Sequence, residues 1–196
     1  QNGQTGSKRD MTFGEYAKDW WIWDKCQYIK RQKARGRRLS EPYARIARGY
    51  LENHILPYFR QKKLTKITAK DVEDWLLALD EDEGKNLHPR TINHCLTTLK
   101  TMMKEAVRLE LIQRDPTLNV SKFNPQESPK GTLRPNEIRA LLNDSRIEKV
   151  WNNSITHYTL NLVAAYTGLR LGELQALQVK HVHDDSLLIE QSWARK

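Results

Sequence analysis

The sequence has little cysteine and no long hydrophobic run. Its 196 residues include two cysteines, Cys26 and Cys95, which are too few for a disulfide scaffold and lack the Cys-x-x-Cys spacing of a zinc site. No stretch approaches the roughly 18 consecutive apolar residues of a membrane span. The polar residues 1–9 also lack the apolar region of a signal peptide. We therefore expect a reduced, cytoplasmic protein with no membrane partner.

Acidic residues are outnumbered by basic ones, 24 to 33. The net charge of +9 favours a polyanionic partner, nucleic acid before a membrane surface. Residues 8–125 alone carry a net +8, and the run "KRQKARGRR" at 30–38 has six cations and no acid. Charge runs are often solvated loops, so this run fits either a solvated loop or a nucleic-acid contact.

Helical periodicity dominates the first 112 residues. Apolar residues recur every three or four positions from "TFGEYAKDWW" onward, which predicts a first helix. A second helix is expected between an N-cap at Ser40 and a stop at Pro57. A capping box at Thr68 opens a third, and a fourth is predicted from about Pro89 to Leu111. Four of the six tryptophans lie in the first 75 residues, and we expect them in the core.

The fourth predicted helix has two contrasting faces. One is apolar, and the other is basic and polar without an acid before Glu105. Ordinary surface helices mix charge signs, so this face fits either a solvated surface or an anionic partner. The polar face carries Arg90, Asn93, His94, Thr97, Lys100, Thr101, Lys104 and Arg108.

The composition changes after the fourth helix. "RDPTLNVSKFNPQESPKGT", at 114–132, has three prolines and predicts a linker. Beyond it we expect helices near 135–142 and 154–167, a "TGLRLGEL" turn with a short helix, and a β-hairpin turning at 184–186. The predicted organisation is a flexible tail (1–10), a helical domain (11–122), a linker (123–131) and the start of an α/β domain (132–196).

The segment "AAYTGLRLGEL", at 164–174, places an arginine beside two leucines just after an apolar helix stops at glycine. An arginine close to a core is costly unless an anion meets it. The anion could be Glu173, three residues on, or a ligand. Tyr166, in the apolar helix, is expected in the core. His181 and His183 could share a strand face with Glu190, but no fourth metal ligand is evident.

"AAYTGLRLGELQALQVKHV" resembles the first catalytic box of the tyrosine recombinases, the phage integrase family. "TFGEYAKDWW", "LTKITAKDVEDWL" and "HPRTINHCLTTLK" resemble their core-binding domain, and "GTLRPNEIRALL" resembles the start of their catalytic domain. These blocks follow in order from about Met11 to Lys196. The resemblance implies a mainly α fold: an orthogonal helical bundle, the SAM-like core-binding domain, followed by a truncated α/β catalytic domain with a β-hairpin.

The resemblance also implies a chemistry. Family members cleave and rejoin DNA through a 3′-phosphotyrosyl link, without a metal or another cofactor. By analogy, Arg170 would contact the non-bridging oxygens of the scissile phosphate, and its planar, permanently charged fork suits that task. Glu173 would buttress the arginine, and Lys196, near the end of the hairpin, would protonate the leaving 5′-hydroxyl.

Two family features are missing from the sequence. It contains no His-x-x-Arg box, and all seven tyrosines precede Arg170. We therefore expect a fragment of a recombinase that integrates or excises a phage or mobile element in a bacterial cell, inactive on its own. Two alternatives are a DNA-binding regulator without catalysis and a helical protein-interaction domain.

The expected partner is double-stranded DNA at attachment sites, held in a clamp formed by the two domains. Self-association on DNA and accessory DNA-bending or directionality factors are implied for the intact enzyme. Most of the DNA-facing side chains would contact phosphates, whereas Asn93 is the better candidate for a base edge. The expected contacts are Tyr43, Arg45, Arg48, Arg90, Asn93, His94, Lys100 and Lys104.

Overall fold

The computed structural model describes residues 11–82, 84, 87–125 and 131–193. The chain divides into two compact units, residues 1–127 and 128–196. The predicted tail at 1–10, the middle of the predicted linker at 126–130 and Lys196 lie outside the described residues. None of the described helices combines the length and apolarity of a membrane span.

The first unit is helical. Its helices are α1 (Phe13–Ala17), α2 (Gln27–Ala34), α3 (Glu41–Tyr50), α4 (Leu56–Phe59), α5 (Ala69–Asp80) and α6 (Pro89–Arg108). The first predicted helix is in fact two helices, because the backbone leaves the helical conformation at Trp21, which is buried and has a positive φ. Trp21 turns inward with a φ of 61°.

Pro57 does not end the second predicted helix. The chain continues from α3 through a π-helical segment, Leu51–Ile55, into α4. Within it the Leu56 N–H donates to the Leu51 carbonyl, five residues back. The wider turn lets the chain pass a residue that lacks an N–H and whose ring crowds the carbonyl four residues earlier.

The core of the first unit lies between α6 and the helices around it. Rings of Phe13, Phe59 and Trp75 form a chain, with centroids 5.9 and 5.4 Å apart. The capping box of α5 is confirmed: Asp71 N–H donates to Thr68 Oγ1 at 3.1 Å, and Thr68 N–H donates to the Asp71 carboxylate at 2.9 Å. The apolar face predicted for α6 is also confirmed, with its members fully buried: Ile92, Cys95, Leu96, Leu99, Met103 and Ala106.

The second unit has little buried surface. Its helices are α7 (Pro135–Leu141), α8 (Ile147–Trp151), α9 (Ile155–Thr167) and α10 (Leu171–Ala176). Among its described residues, only Leu174 and His181 are buried. The prediction that Tyr166 lies in a core is therefore wrong: its side chain is 83% exposed, because α9 has no buried residue in the described part of this unit.

The predicted hairpin forms only its turn. The His183 N–H donates to the Ser186 carbonyl at 2.9 Å, and one antiparallel bridge joins Val182 to Leu187. The expected first strand is replaced by a 3₁₀ turn over Val179–His181, since a two-stranded ribbon without a third strand or covering helix is marginally stable. The mainly α architecture predicted for the chain is confirmed.

Candidate nucleic-acid interface and arginine box

The outer side of α6 carries a polar stripe free of carboxylates. Its members recur every three or four residues, which places them on one side of the helix. Arg90, His94, Thr97 and Lys104 are exposed and Thr101 is half-buried. The two threonine hydroxyls donate to carbonyls one turn back, at 2.8 and 2.9 Å. We call these five residues the α6 stripe.

Helix α3 adjoins the α6 stripe through an aromatic contact. The Tyr50 ring stacks on His94, with centroids 5.9 Å apart and planes within 6° of parallel. On the same helix Tyr43 and Arg45 are exposed. Arg45 lies 3.8 Å from Glu41 in an exposed pair, which binds the guanidinium weakly. Five of the eight expected DNA contacts are therefore exposed side chains of α3 and α6: Tyr43, Arg45, Arg90, His94 and Lys104.

Arg48 has an internal role that the sequence did not reveal. Its Nη1 donates to the carbonyls of Ala17, Lys18 and Trp20 at 3.3, 3.1 and 2.9 Å, and its Nε donates to Glu52 at 2.7 Å. The side chain is only 22% exposed. Arg48 thus ties the chain at and after the end of α1 to α3, and its guanidinium is engaged inside the first unit.

Asn93 and Lys100 hold the segment that follows α6. Asn93 Nδ2 donates to the Phe123 carbonyl and its Oδ1 accepts from the Phe123 N–H, both at 2.9 Å. Lys100 Nζ donates to the Val120 carbonyl at 2.8 Å. One donor and one acceptor of the Asn93 amide are therefore committed to Phe123, and its expected role at a base edge stays a prediction.

The different surroundings of Arg45 and Arg48 give a testable contrast. Arg48→Ala is expected to lower the free energy of unfolding by about 1–2 kcal/mol, because it removes the guanidinium donor from the half-buried Trp20 carbonyl and breaks the other contacts to the end of α1. The same change at Arg45, whose pair is exposed, should cost less than about 0.5 kcal/mol. Urea unfolding followed by circular dichroism measures both. Equal losses would contradict the internal role of Arg48.

In the second unit, Arg170 forms the N-cap of α10. Its backbone N–H donates to Glu173 at 2.8 Å and its guanidinium donates to the same carboxylate at 3.2 Å. These two hydrogen bonds, the backbone one first, hold the pKa of Glu173 below its usual value. The expectation that Arg170 lies close to the core is wrong, since its side chain is 87% exposed. Solvation removes the cost of burying the charge, and the buttress role of Glu173 stays a prediction.

The second glycine of the box, Gly172, escaped the sequence analysis. A Cβ placed on it would lie 2.6 Å from both Ser192 Oγ and the Trp193 carbonyl oxygen, and its own carbonyl accepts from the Trp193 N–H at 2.7 Å. Gly172 therefore lets the chain after the hairpin pack against α10. The signal was present in the sequence, because a glycine inside a helix is unfavourable unless packing requires it.

The two hairpin histidines face different surroundings. His181 is buried, accepts a hydrogen bond from the Gln178 N–H at Nδ1 (3.2 Å), and points Nε2 at Glu190, 3.3 Å away. His183 is exposed and lines a groove beside Thr167. The two do not share a face, because His181 belongs to the 3₁₀ turn. No three His, Cys, Asp or Glu side chains of the described segments gather as metal ligands.

Known proteins resemble this chain in sequence. Residues 12–79 match the family described as "Phage integrase, N-terminal SAM-like domain". The ICEBs1 integrase of Bacillus subtilis (strain 168) is 29% identical over 140 residues, covering 71% of this chain and 35% of that protein. The integrase of Mycobacterium phage L5 is 25% identical over 181 residues, covering 92% and 41%. The chain thus spans about two-fifths or less of the length of these relatives.

Solved structures share the fold. A lambda integrase tetramer bound to a Holliday junction superposes with a TM-score of 0.72 at 17% identity, over 96% of this chain and 50% of that one. The Tn1549 transposon integrase in complex with circular intermediate DNA gives 0.63 at 21% identity, over 84% and 53%. The chain is therefore similar to integrases in sequence, with the family match confined to residues 12–79, and it shares the fold of the lambda and Tn1549 integrases.

Proposed function

We propose that this chain grips double-stranded DNA for a site-specific recombinase that cleaves and rejoins DNA through a 3′-phosphotyrosyl link. The observation that carries the proposal is the exposed, carboxylate-free α6 stripe, together with the exposed Tyr43 and Arg45 of α3, the helix whose Tyr50 contacts that stripe. A row of cations on two packed helices matches the regular charge of a DNA backbone. Phosphates dominate such contacts, so the grip itself is largely independent of sequence.

The proposed interface comprises the exposed members of the expected set. Arg45, Arg90 and Lys104 would contact phosphates, and Tyr43 and His94 would offer ring and N–H groups to the backbone or a groove. Arg48, Asn93 and Lys100 are left out, because carbonyls of the first unit occupy them. Their proposed role is to keep the helices and the following segment in place.

Arg170 is the proposed contact to the scissile phosphate. Its exposed guanidinium is held at one end by Glu173, which leaves donor groups for the non-bridging oxygens of a phosphate. Donors positioned in advance stabilise the charge that develops at phosphorus. Lys196, for which we keep the role of proton donor to the leaving 5′-hydroxyl, lies outside the described residues.

The remaining roles follow from the integrase relatives. We propose that the first unit is the core-binding domain, and that the linker at 123–131 leads into the beginning of the catalytic domain. This chain would not cleave DNA by itself, because no tyrosine follows Arg170 in its sequence. The chain would act on DNA in the bacterial cytoplasm, as part of an enzyme that integrates or excises a phage or mobile element. That enzyme would self-associate on its attachment sites. Accessory DNA-bending or directionality factors would assist it.

A DNA titration tests the grip. We expect log K for a fluorescent duplex to fall linearly with log salt, and the Arg45→Gln, Lys104→Gln double variant to reduce that slope by about 2. Its affinity in 0.1 M salt should fall about tenfold. The control is Lys25→Gln with Lys66→Gln, which removes two exposed charges outside α3 and α6.

The outcomes separate the alternatives. An equal slope change in both double variants would contradict the assignment of the interface to α3 and α6. Two results for the unmodified chain would contradict the DNA role. One is binding whose strength does not change with salt, and the other is no binding at low salt. The interaction-domain interpretation would then be favoured.

A further inference from the structure

Among the described residues of the first unit, three unpaired arginines cluster outside the α3–α6 interface, at residues 35–38. Of the six cations at 30–38, Arg31 pairs with Glu105 and Lys33 Nζ sits 3.4 Å above the Trp23 ring. Arg35, Arg37 and Arg38 are exposed, and within the described part of the chain no carboxylate forms an ion pair with them. We call residues 35–38 the arginine loop.

The arginine loop has a defined backbone. Gly36 adopts a left-handed conformation with a φ of 75°, its N–H donates to the Lys33 carbonyl at 2.9 Å, and the Arg37 N–H donates to the Gln32 carbonyl at 3.1 Å. This pair of bonds is a Schellman motif, which ends α2. A Cβ on Gly36 would meet no atom within 4 Å, so the loop is open to an approaching molecule.

The ending of α2 does not account for three more arginines. Cations near a helix C-terminus complement its dipole only within the last turn, and that turn already contains Arg31 and Lys33. Clustered like charges repel one another when nothing anionic lies between them. The arginine loop therefore has a surplus of positive charge that an external anion would neutralise.

The arginine loop is continuous with the start of α3. Ser40, two residues after Arg38, caps that helix by accepting from the Tyr43 N–H at 3.3 Å. The Tyr43 ring lies edge-on to Trp21, and Trp21 in turn to Tyr28, at 5.7 and 5.6 Å. Burial raises the pKa of Tyr28 and the Arg37 guanidinium opposes that rise, consistent with Arg37 lying on the Tyr43 side of the unit.

We propose that the arginine loop binds backbone phosphates of the same DNA duplex, extending the α3–α6 interface beyond the N-terminal end of α3. The proposal rests on the proposed function and adds a second contact element to it. Arginine suits the task because its planar fork binds two phosphate oxygens. Gly36 adds no side chain that would keep a strand away. Contacts of this kind do not depend on base sequence.

The test is a salt-dependent titration of the full chain with two fluorescent duplexes of unrelated sequence. The Arg35→Gln, Arg37→Gln, Arg38→Gln triple variant should reduce the slope of log K against log salt by 2 to 3 on both duplexes, about one per lost phosphate contact. The matched control, Lys25→Gln, Lys66→Gln, Arg114→Gln, removes three exposed charges elsewhere and should change the slope by less than about 1. Thermal unfolding of the triple variant should match the unmodified chain, since the loop side chains are solvated.

A triple arginine-to-lysine variant checks the role of charge. It should retain most of the slope, because the number of cations is unchanged. The triple glutamine variant could keep the salt slope of the unmodified chain while the Arg45→Gln, Lys104→Gln variant lowers it. That result would contradict DNA binding by the arginine loop but not by the α3–α6 interface. A loss seen on one duplex only would overturn the phosphate assignment. Absence of DNA binding by the unmodified chain would overturn both proposals.

Discussion

Replacing Glu105 with alanine is expected to lower the free energy of unfolding by about 2–3 kcal/mol. The carboxylate is 7% exposed on the inner side of α6 and pairs with Arg31 of α2 and with Arg108 one turn on, whose Nη2 lies 2.7 Å from Glu105 Oε1. Removing it leaves the Arg31 guanidinium, 23% exposed, without its anion. Fully buried pairs lose about 3–5 kcal/mol in this way, and the loss is smaller here because both arginines reach water.

The effect of the substitution should depend on pH. Burial pushes the pKa of Glu105 upward, but hydrogen bonds from Arg108 and Arg31 outweigh burial and leave the pKa below its usual value. A carboxyl with a lowered folded-state pKa contributes stability that is fully present above its unfolded pKa of about 4.3. That contribution is lost as pH falls through the folded value. The difference between the unmodified chain and Glu105→Ala should therefore be constant near pH 7 and shrink below about pH 4.

Urea unfolding at several pH values measures this prediction. Glu73→Ala, an exposed glutamate of α5, is the control and should change the free energy by less than about 0.5 kcal/mol. Replacing both Arg31 and Glu105 with methionine should recover most of the loss, because neither charge is left unpaired. A Glu105→Ala loss below about 0.5 kcal/mol would contradict the buried-pair assignment.

Replacing Gly172 with alanine is expected to release the chain after the hairpin from α10. The added methyl would meet the Trp193 backbone at 2.6 Å, so that segment must move and its hydrogen bond to the Gly172 carbonyl, 2.7 Å, must break. Overpacking of this kind costs about 1–3 kcal/mol. The helix itself should persist, because alanine is the better helix former.

Amide hydrogen exchange detects the release. The Trp193 N–H should exchange at least about tenfold faster in Gly172→Ala, which corresponds to about 1.4 kcal/mol. Gly49→Ala is the matched control, since a Cβ at that helical glycine of α3 meets no atom within 4 Å, and it should leave this exchange unchanged. Unchanged exchange in Gly172→Ala would show that the segment does not need the glycine.

Local signals in the sequence were sufficient for much of the fold. Periodicity and capping residues predicted α5, α6 and α9 to within a few residues. Thr68 and Ser154 cap the N-termini of α5 and α9, and Gly168 caps the C-terminus of α9, so these boundaries are set by local chemistry. The turn at 184–186 was readable for the same reason. The resemblance to integrases followed from the short motifs, which depend on spacing along the chain.

The errors arose where distant parts of the chain meet. The first predicted helix breaks at Trp21, which turns into the core with a positive φ. The proline at position 57 was tolerated because the preceding turn had widened. Neither the widened turn nor the space in the core is visible in a local pattern, since each depends on residues packed from elsewhere in the chain.

The sequence by itself determined which charges this protein has and where an arginine box lies along the chain. Only the tertiary structure decided which charges are available to a partner. Arg48 and Lys100 share the periodicity of the exposed cations, yet backbone carbonyls from other segments bind them. Charge is a property of the residue, whereas its availability depends on which hydrogen-bond acceptors the fold brings within about 3 Å.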